Sequence, residues 1–150
     1  MITILSYGAL LLQLVLAVLL GAILGLERSL AHKKAGMRTY ALVSLASAAF
    51  VLIGQEVLAD LPNGITFDPL RVAAQVISGI GFLGAGLIFF SQEKLHGLTT
   101  AAGLWAAAGI GMAVGYGLVN LAIFATATTL LVFTAFWFIE QKVIARGGND

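Results

Sequence analysis

The chain has 150 residues, is 60% hydrophobic and only 10% charged, and has a mean hydropathy of +1.02. Soluble domains carry about 25% charged residues, so water could not solvate this surface and the solvent is lipid. A net charge of +1 argues against nucleic acid as a partner, and the absence of cysteine removes disulfides, thiolate metal sites and cysteine catalysis.

Charges fall in four places: Glu27 to Arg38, Glu56 to Arg71, Glu93 to His96, and Glu140 to Asp150. Between them lie uncharged runs at 1–26, 39–55, 72–92 and 97–139. A membrane span needs about 20 residues. The last run is long enough for two spans, with Gly115-Tyr116-Gly117 near its middle. The pattern predicts an all-α integral membrane bundle of five transmembrane helices in one domain over 1–150, at about 6–27, 39–58, 69–91, 97–115 and 118–139. No positive charge precedes the first run, so it reads as a span rather than a signal peptide.

Orientation follows from lysine and arginine. Arg28, Lys33, Lys34 and Arg38 lie in the first loop, Lys94 in the third, and Lys142 and Arg146 after the last span. The second loop carries Glu56, Asp60 and Asp68 against Arg71. The N-terminus is therefore expected outside and the C-terminus in the cytoplasm. Tyr7, Tyr40 and Tyr116 near span ends agree with this, as does the Phe136-Trp137-Phe138 cluster.

The first helix carries Ala17, Gly21 and Gly25 at four-residue spacing, a stripe that lets another backbone approach closely and a candidate homodimer seam. Asp60-Leu-Pro-Asn-Gly64 reads as a turn, and Asp68-Pro69 as a cap with proline at the first helical position. The third helix has a small-residue face of Ala74, Ser78, Gly81 and Ala85, flanked by Gln75, Gly79, Phe82 and Gly86. With Gly84, these residues mark it as a central packing helix, closely packed with the first and fourth. In the fourth helix Ala102, Ala106, Gly109 and Ala113 share a face, Gly111 and Gly115 stand four apart, and Trp105 reads as a packing residue. The fifth helix lacks such a stripe and is expected to face lipid.

Gly79-x-Gly81-x-x-Gly84 matches the dinucleotide fingerprint, but that motif needs a preceding strand and an acidic residue about 20 positions on. Here the glycines sit inside an uncharged run, so the match carries no nucleotide site. A faint repeat is also visible: Gly36-Met-Arg-Thr39-Tyr-Ala41 opens the second helix, and Gly97-Leu-Thr-Thr100-Ala-Ala102 the fourth.

Polar residues in or beside the membrane are costly and are functional candidates by default. Glu27, Arg28, Arg38, Thr39, Thr99 and Thr100 form the cytoplasmic set, with His96 beside them, while Gln75 and Asn120 lie toward the outside. The set reads either as a functional polar cluster or as helix ends, with Arg28 snorkelling to the headgroups and the threonines capping. Gln75 is the hardest to dismiss, since an amide on a membrane helix must find partners. No cofactor or metal set is expected: no carboxylate lies at depth in any predicted span.

At these residues the chain resembles the MgtC/SapB family of bacterial inner-membrane proteins. The resemblance rests on Gly21-Ala-Ile-Leu-Gly-Leu-Glu-Arg28, Ala35-Gly-Met-Arg-Thr39, Arg71-Val-Ala-Ala-Gln75, Ser78-Gly-Ile-Gly-Phe-Leu-Gly-Ala-Gly86, Gly97-Leu-Thr-Thr-Ala-Ala102 with Trp105, and Ala108-Gly-Ile-Gly111. In order and spacing these stretches run from about residue 17 to 117. The resemblance implies a role linked to growth in low magnesium and, in pathogens, to survival inside macrophages. The family was named beside magnesium-transport ATPases but is usually regarded as regulatory. The MgtC type also carries a cytoplasmic C-terminal domain, whereas about ten residues follow the fifth helix here. The leading expectation is a non-enzymatic inner-membrane protein that modulates partner membrane proteins. A transporter of magnesium or another ion is the alternative, and a protein that binds lipid or a small molecule the third.

Overall fold

A computed structural model describes residues 4–59, 68, 70–91 and 94–147. Five helices in it are long and apolar enough to cross a membrane. They are α1 (Ile4–Leu30), α2 (Met37–Ala59), α3 (Leu70–Leu87), α4 (Leu98–Gly115), and a last span in which α5 (Val119–Leu131) runs through a π-helical turn (Val132–Phe136) into α6 (Trp137–Gly147). The expected turn at 60–64, Pro69 and Glu93 lie outside the described residues.

The third helix is shorter than its apolar run. It stops at Leu87, and Phe89–Ser91 (β1) pairs antiparallel with Lys94–His96 (β2), so the fold is helical but carries a small hairpin. Two consecutive phenylalanines favour strand over helix once α3 has ended. Phe89 stacks on its cross-strand partner His96 at 5.3 Å, and the Lys34 ammonium sits 3.8 Å from the Phe89 ring centroid. Gly97, at φ 91°, turns the chain into α4, a conformation that favours glycine.

The core is the trio α1, α2 and α4. α1 packs along α2 and α4, and α2 along α4, whereas α3 lies mainly on α4 and touches α2 only slightly. Burial decides which helix is central: 56% of the apolar window of α4 is buried, against 11% for α3. The trio closes through glycines pressed on the backbone of α2. A Cβ added to Gly21 would lie 2.6 Å from the Tyr40 carbonyl oxygen and 2.8 Å from Ser44 Cβ. One on Gly25 would lie 2.6 Å from Met37 Cα, and one on Gly115 2.8 Å from Val51 Cβ. Gly111 meets the Ser44 backbone, so Ser44 is held between Gly21 of α1 and Gly111 of α4. Its hydroxyl is fully buried and has no hydrogen-bond partner among the described residues. Such approaches replace the hydrophobic drive that helices lack in lipid.

Gln13 ties α1 to the far end of α4, its Nε2 donating to the Val114 carbonyl at 3.1 Å. The same carbonyl accepts the Gly117 N–H at 2.9 Å, so Gln13 adds a second donor at the C-terminus of α4, where in lipid no water would supply one. In the last span, Thr126, Thr128, Thr129 and Thr134 each donate to the carbonyl four residues back, at 2.7–2.8 Å. Such back-bonding satisfies hydroxyls in lipid and loosens the ladder locally. Thr134 lies within the π-helical turn.

Candidate functional site

The polar site forms where α1 ends. Arg28 is 4% exposed, and its guanidinium forks onto the preceding carboxylate: Nη2 donates to Glu27 Oε1 at 2.6 Å, and Nε to Oε2. The Arg28 Cζ also sits 3.8 Å from the centroid of the Phe133 ring, which the π-helical turn of the last span delivers. A buried cation is tolerated where it is paired and hydrogen-bonded, and an aromatic face adds electrostatic attraction.

Beside this pair, Tyr40 is fully buried, and its hydroxyl donates to the Thr100 carbonyl at 3.2 Å. Gly103 makes room for both aromatic rings: an added Cβ would lie 2.6 Å from Phe133 Cζ and 3.2 Å from Tyr40 Cε1. Arg28, Tyr40, Gly103 with Thr100, and Phe133 thus bring four spans to one point. The two halves of the faint repeat meet here. Gly36 accepts the first-turn bond from Tyr40 N–H and Gly97 that from Ala101 N–H, at 3.1 and 2.9 Å.

Of the polar set read from sequence, the structure gathers Glu27, Arg28 and Thr100. Arg38, Thr39 and Thr99 are exposed, and Arg38 has no ion pair among the described residues. Gln75 is elsewhere, exposed on α3. Tyr40 is no interfacial anchor but the largest fully buried side chain among the described residues, and Phe133 comes from the span expected to face lipid. A phenylalanine among leucines carries no signal of its role. Gly103 had one, since it continues the four-residue series to Ala107, Gly111 and Gly115, all buried.

The small-residue faces divide sharply. Gly21, Gly25 and Gly111 are occupied inside the chain, so the Gly21–Gly25 stripe is not a free seam for a second copy. Gly84 faces the Ala101 methyl at 3.6 Å. Gly79, Gly81, Gly86 and Gly109 meet nothing within 4 Å, and Ser78 is exposed. Trp105 is 55% exposed rather than packed. α3 therefore shows the surface of a packing helix but is not central to this chain's own packing. Between α2 and α3 lies a groove of about 760 Å³, lined by Leu42, Phe50, Gly79 and Leu83 among others.

A sequence model of the MgtC family matches residues 14–142. The chain belongs to the MgtC family. It is 40% identical over 136 residues to an Escherichia coli K12 protein named "Putative magnesium transporter YhiD", covering 89% of this chain and 63% of that one. It is 45% identical over 116 residues to "Protein MgtC" of Brucella abortus, covering 77% of this chain and 46% of that one. To "Protein MgtC" of Salmonella typhimurium it is 44% identical over 119 residues, 79% of this chain and 48% of that one. The chain thus matches about half to two thirds of the length of these relatives. No solved structure matches it. Family membership and five apolar helices make it a multi-pass membrane protein.

Proposed function

We propose that this protein is a small, non-enzymatic regulator of the bacterial inner membrane, acting on partner membrane proteins or on membrane energetics as cells adapt to low magnesium. In this reading the N-terminus lies outside and the C-terminus in the cytoplasm, as the lysine and arginine bias requires. The observation that carries it is the bare face of α3. A Cβ added at Gly81 would meet nothing within 4 Å outside its own helix, and Ser78 is exposed beside it. In lipid a flat small-residue face gains contact energy only when another helix lies on it. The chain supplies none there among the described residues, so a partner helix is the natural occupant, from another inner-membrane protein or a second copy.

The name given to the E. coli K12 relative makes magnesium transport the competing reading. Magnesium favours an octahedral oxygen shell, dehydrates reluctantly and commonly binds through one or two carboxylates. Glu27 is engaged by Arg28 rather than open to an ion, which favours the regulatory reading. Two experiments separate them. A photo-cross-linking residue at Phe82, which is 81% exposed on α3, should trap a protein in cells starved of magnesium, whereas the same residue at Phe124 of α5 should not. Saturable magnesium uptake into proteoliposomes holding the purified protein alone would overturn the proposal.

A further inference from the structure

The last span changes pitch part-way along. Ala122, Thr126 and Phe133 are buried, at steps that keep to one face of an α-helix. Carried on at that pitch, the face would next present Trp137 and Glu140, the latter about five turns after Ala122. It does not, because the π-helical turn Val132–Phe136 intervenes. A π turn closes bonds between residues five apart, so it holds about one residue more than an α turn. It sets everything beyond it back by one residue's rotation, about 100°. Trp137 is half exposed, and Glu140 is exposed with no ion partner among the described residues. Among those residues α6 rests on the π turn and packs closely on no other span. The turn has two anchors. The Thr134 hydroxyl donates to the Leu130 carbonyl at 2.8 Å, and back-bonding of this kind loosens the ladder and favours the wider pitch. Phe133 lies over the Arg28 guanidinium, in the room that Gly103 leaves.

Single π turns inside α-helices are rare and recur at functional sites. Here the two pitches present α6 by different faces. At the α pitch Trp137 would lie on the bundle side, and Glu140 would stand two turns past Phe133, about 10 Å along the axis. As first and fifth of five alternating spans, α1 and the last span run the same way, and α1 ends at Leu30, just past Arg28. Glu140 would then face the chain that leaves α1, where His32, Lys33 and Lys34 are exposed. Lys34 is drawn to the Phe89 ring and Glu27 is engaged by Arg28, which leaves Lys33 as the open cation. We infer that the π turn is a joint with two registers: closed to the α pitch, it rotates α6 by about 100°, lays Trp137 on the bundle and pairs Glu140 with Lys33. Phe133 precedes the rotation and stays on Arg28 in both registers, so the buried pair is undisturbed while α6 turns. Whatever engages α6 selects the register, and this holds whether or not a partner covers α3.

Carbodiimide coupling of the purified full chain in nanodiscs tests it, since that reagent joins a carboxylate to an amine only where the two meet. The Glu140–Lys33 cross-linked peptide, read by mass spectrometry from the monomer band, should form in the wild type. It should be lost in a variant lacking Ala135, whose helix is regular and still presents α6 by its present face. Thr134→Val should raise the yield about fivefold, the shift that one hydrogen bond commands, and Thr134→Ser should leave it unchanged. Absence of the peptide in the wild type would overturn the inference, as would equal yields from the wild type and the variant lacking Ala135. Should that variant not fold, equal yields from Thr134→Val and Thr134→Ser would overturn it.

Discussion

Arg28 and Glu27 hold each other's charge at the end of α1, and neither is open to water in full. Removing one partner of a buried pair typically costs about 3–5 kcal/mol, because the other charge is left uncompensated. Arg28→Gln should therefore destabilise strongly, and Glu27→Gln with Arg28→Gln should recover much of the loss, measured as the unfolding midpoint in detergent. If the double variant is worse than the single one, the pair is not the source of the cost. Tyr40→Phe removes one hydrogen bond to the Thr100 carbonyl. Such bonds inside membranes average about 0.6 kcal/mol, so its effect on the same midpoint should be small. The pairing of Glu27 with Arg28 was half visible in the sequence, as adjacent charges at a span end. The Phe133 ring that covers Arg28 was not, because contacts between distant spans leave no mark on local spacing.

At the scale of elements, glycine is informative only together with what lies opposite. Gly21, Gly25 and Gly111 stand where α1 and α4 press on α2, and Gly79, Gly81 and Gly86 stand where nothing does. The spacing that marks a small-residue stripe is the same in both cases, so sequence alone ranked α3 as central. Gly111→Leu should be severe, since its side chain would have to displace the Ser44 backbone. Overpacking typically costs about 1–3 kcal/mol where neighbours can shift, and a backbone yields less than a side chain, so the loss should reach or exceed the top of that range. Unfolding of purified variants checks this, and a stable Gly111→Leu would contradict the α2–α4 contact. The shortening of α3 to Leu87 has the same origin: hydropathy counts Phe89 and Phe90 as span residues, whereas pairing with Leu95 and His96 takes them into a hairpin.

For the whole molecule, the number of spans was legible because lipid imposes length and excludes charge, and those two signals lie in the sequence itself. The arrangement of the spans was less so, since five apolar helices can pack in many ways and the deciding contacts are backbone to backbone. The resulting bundle has a closed trio, α1, α2 and α4, and an outlying α3 whose small face is uncovered. On the proposed reading, this face serves a partner and not the fold. The most direct measurement is Gly81→Leu, followed both by its unfolding midpoint and by growth of cells in low magnesium. An unchanged midpoint with lost growth is the predicted result. A midpoint lowered as far as that of Gly111→Leu, or growth equal to wild type, would contradict it.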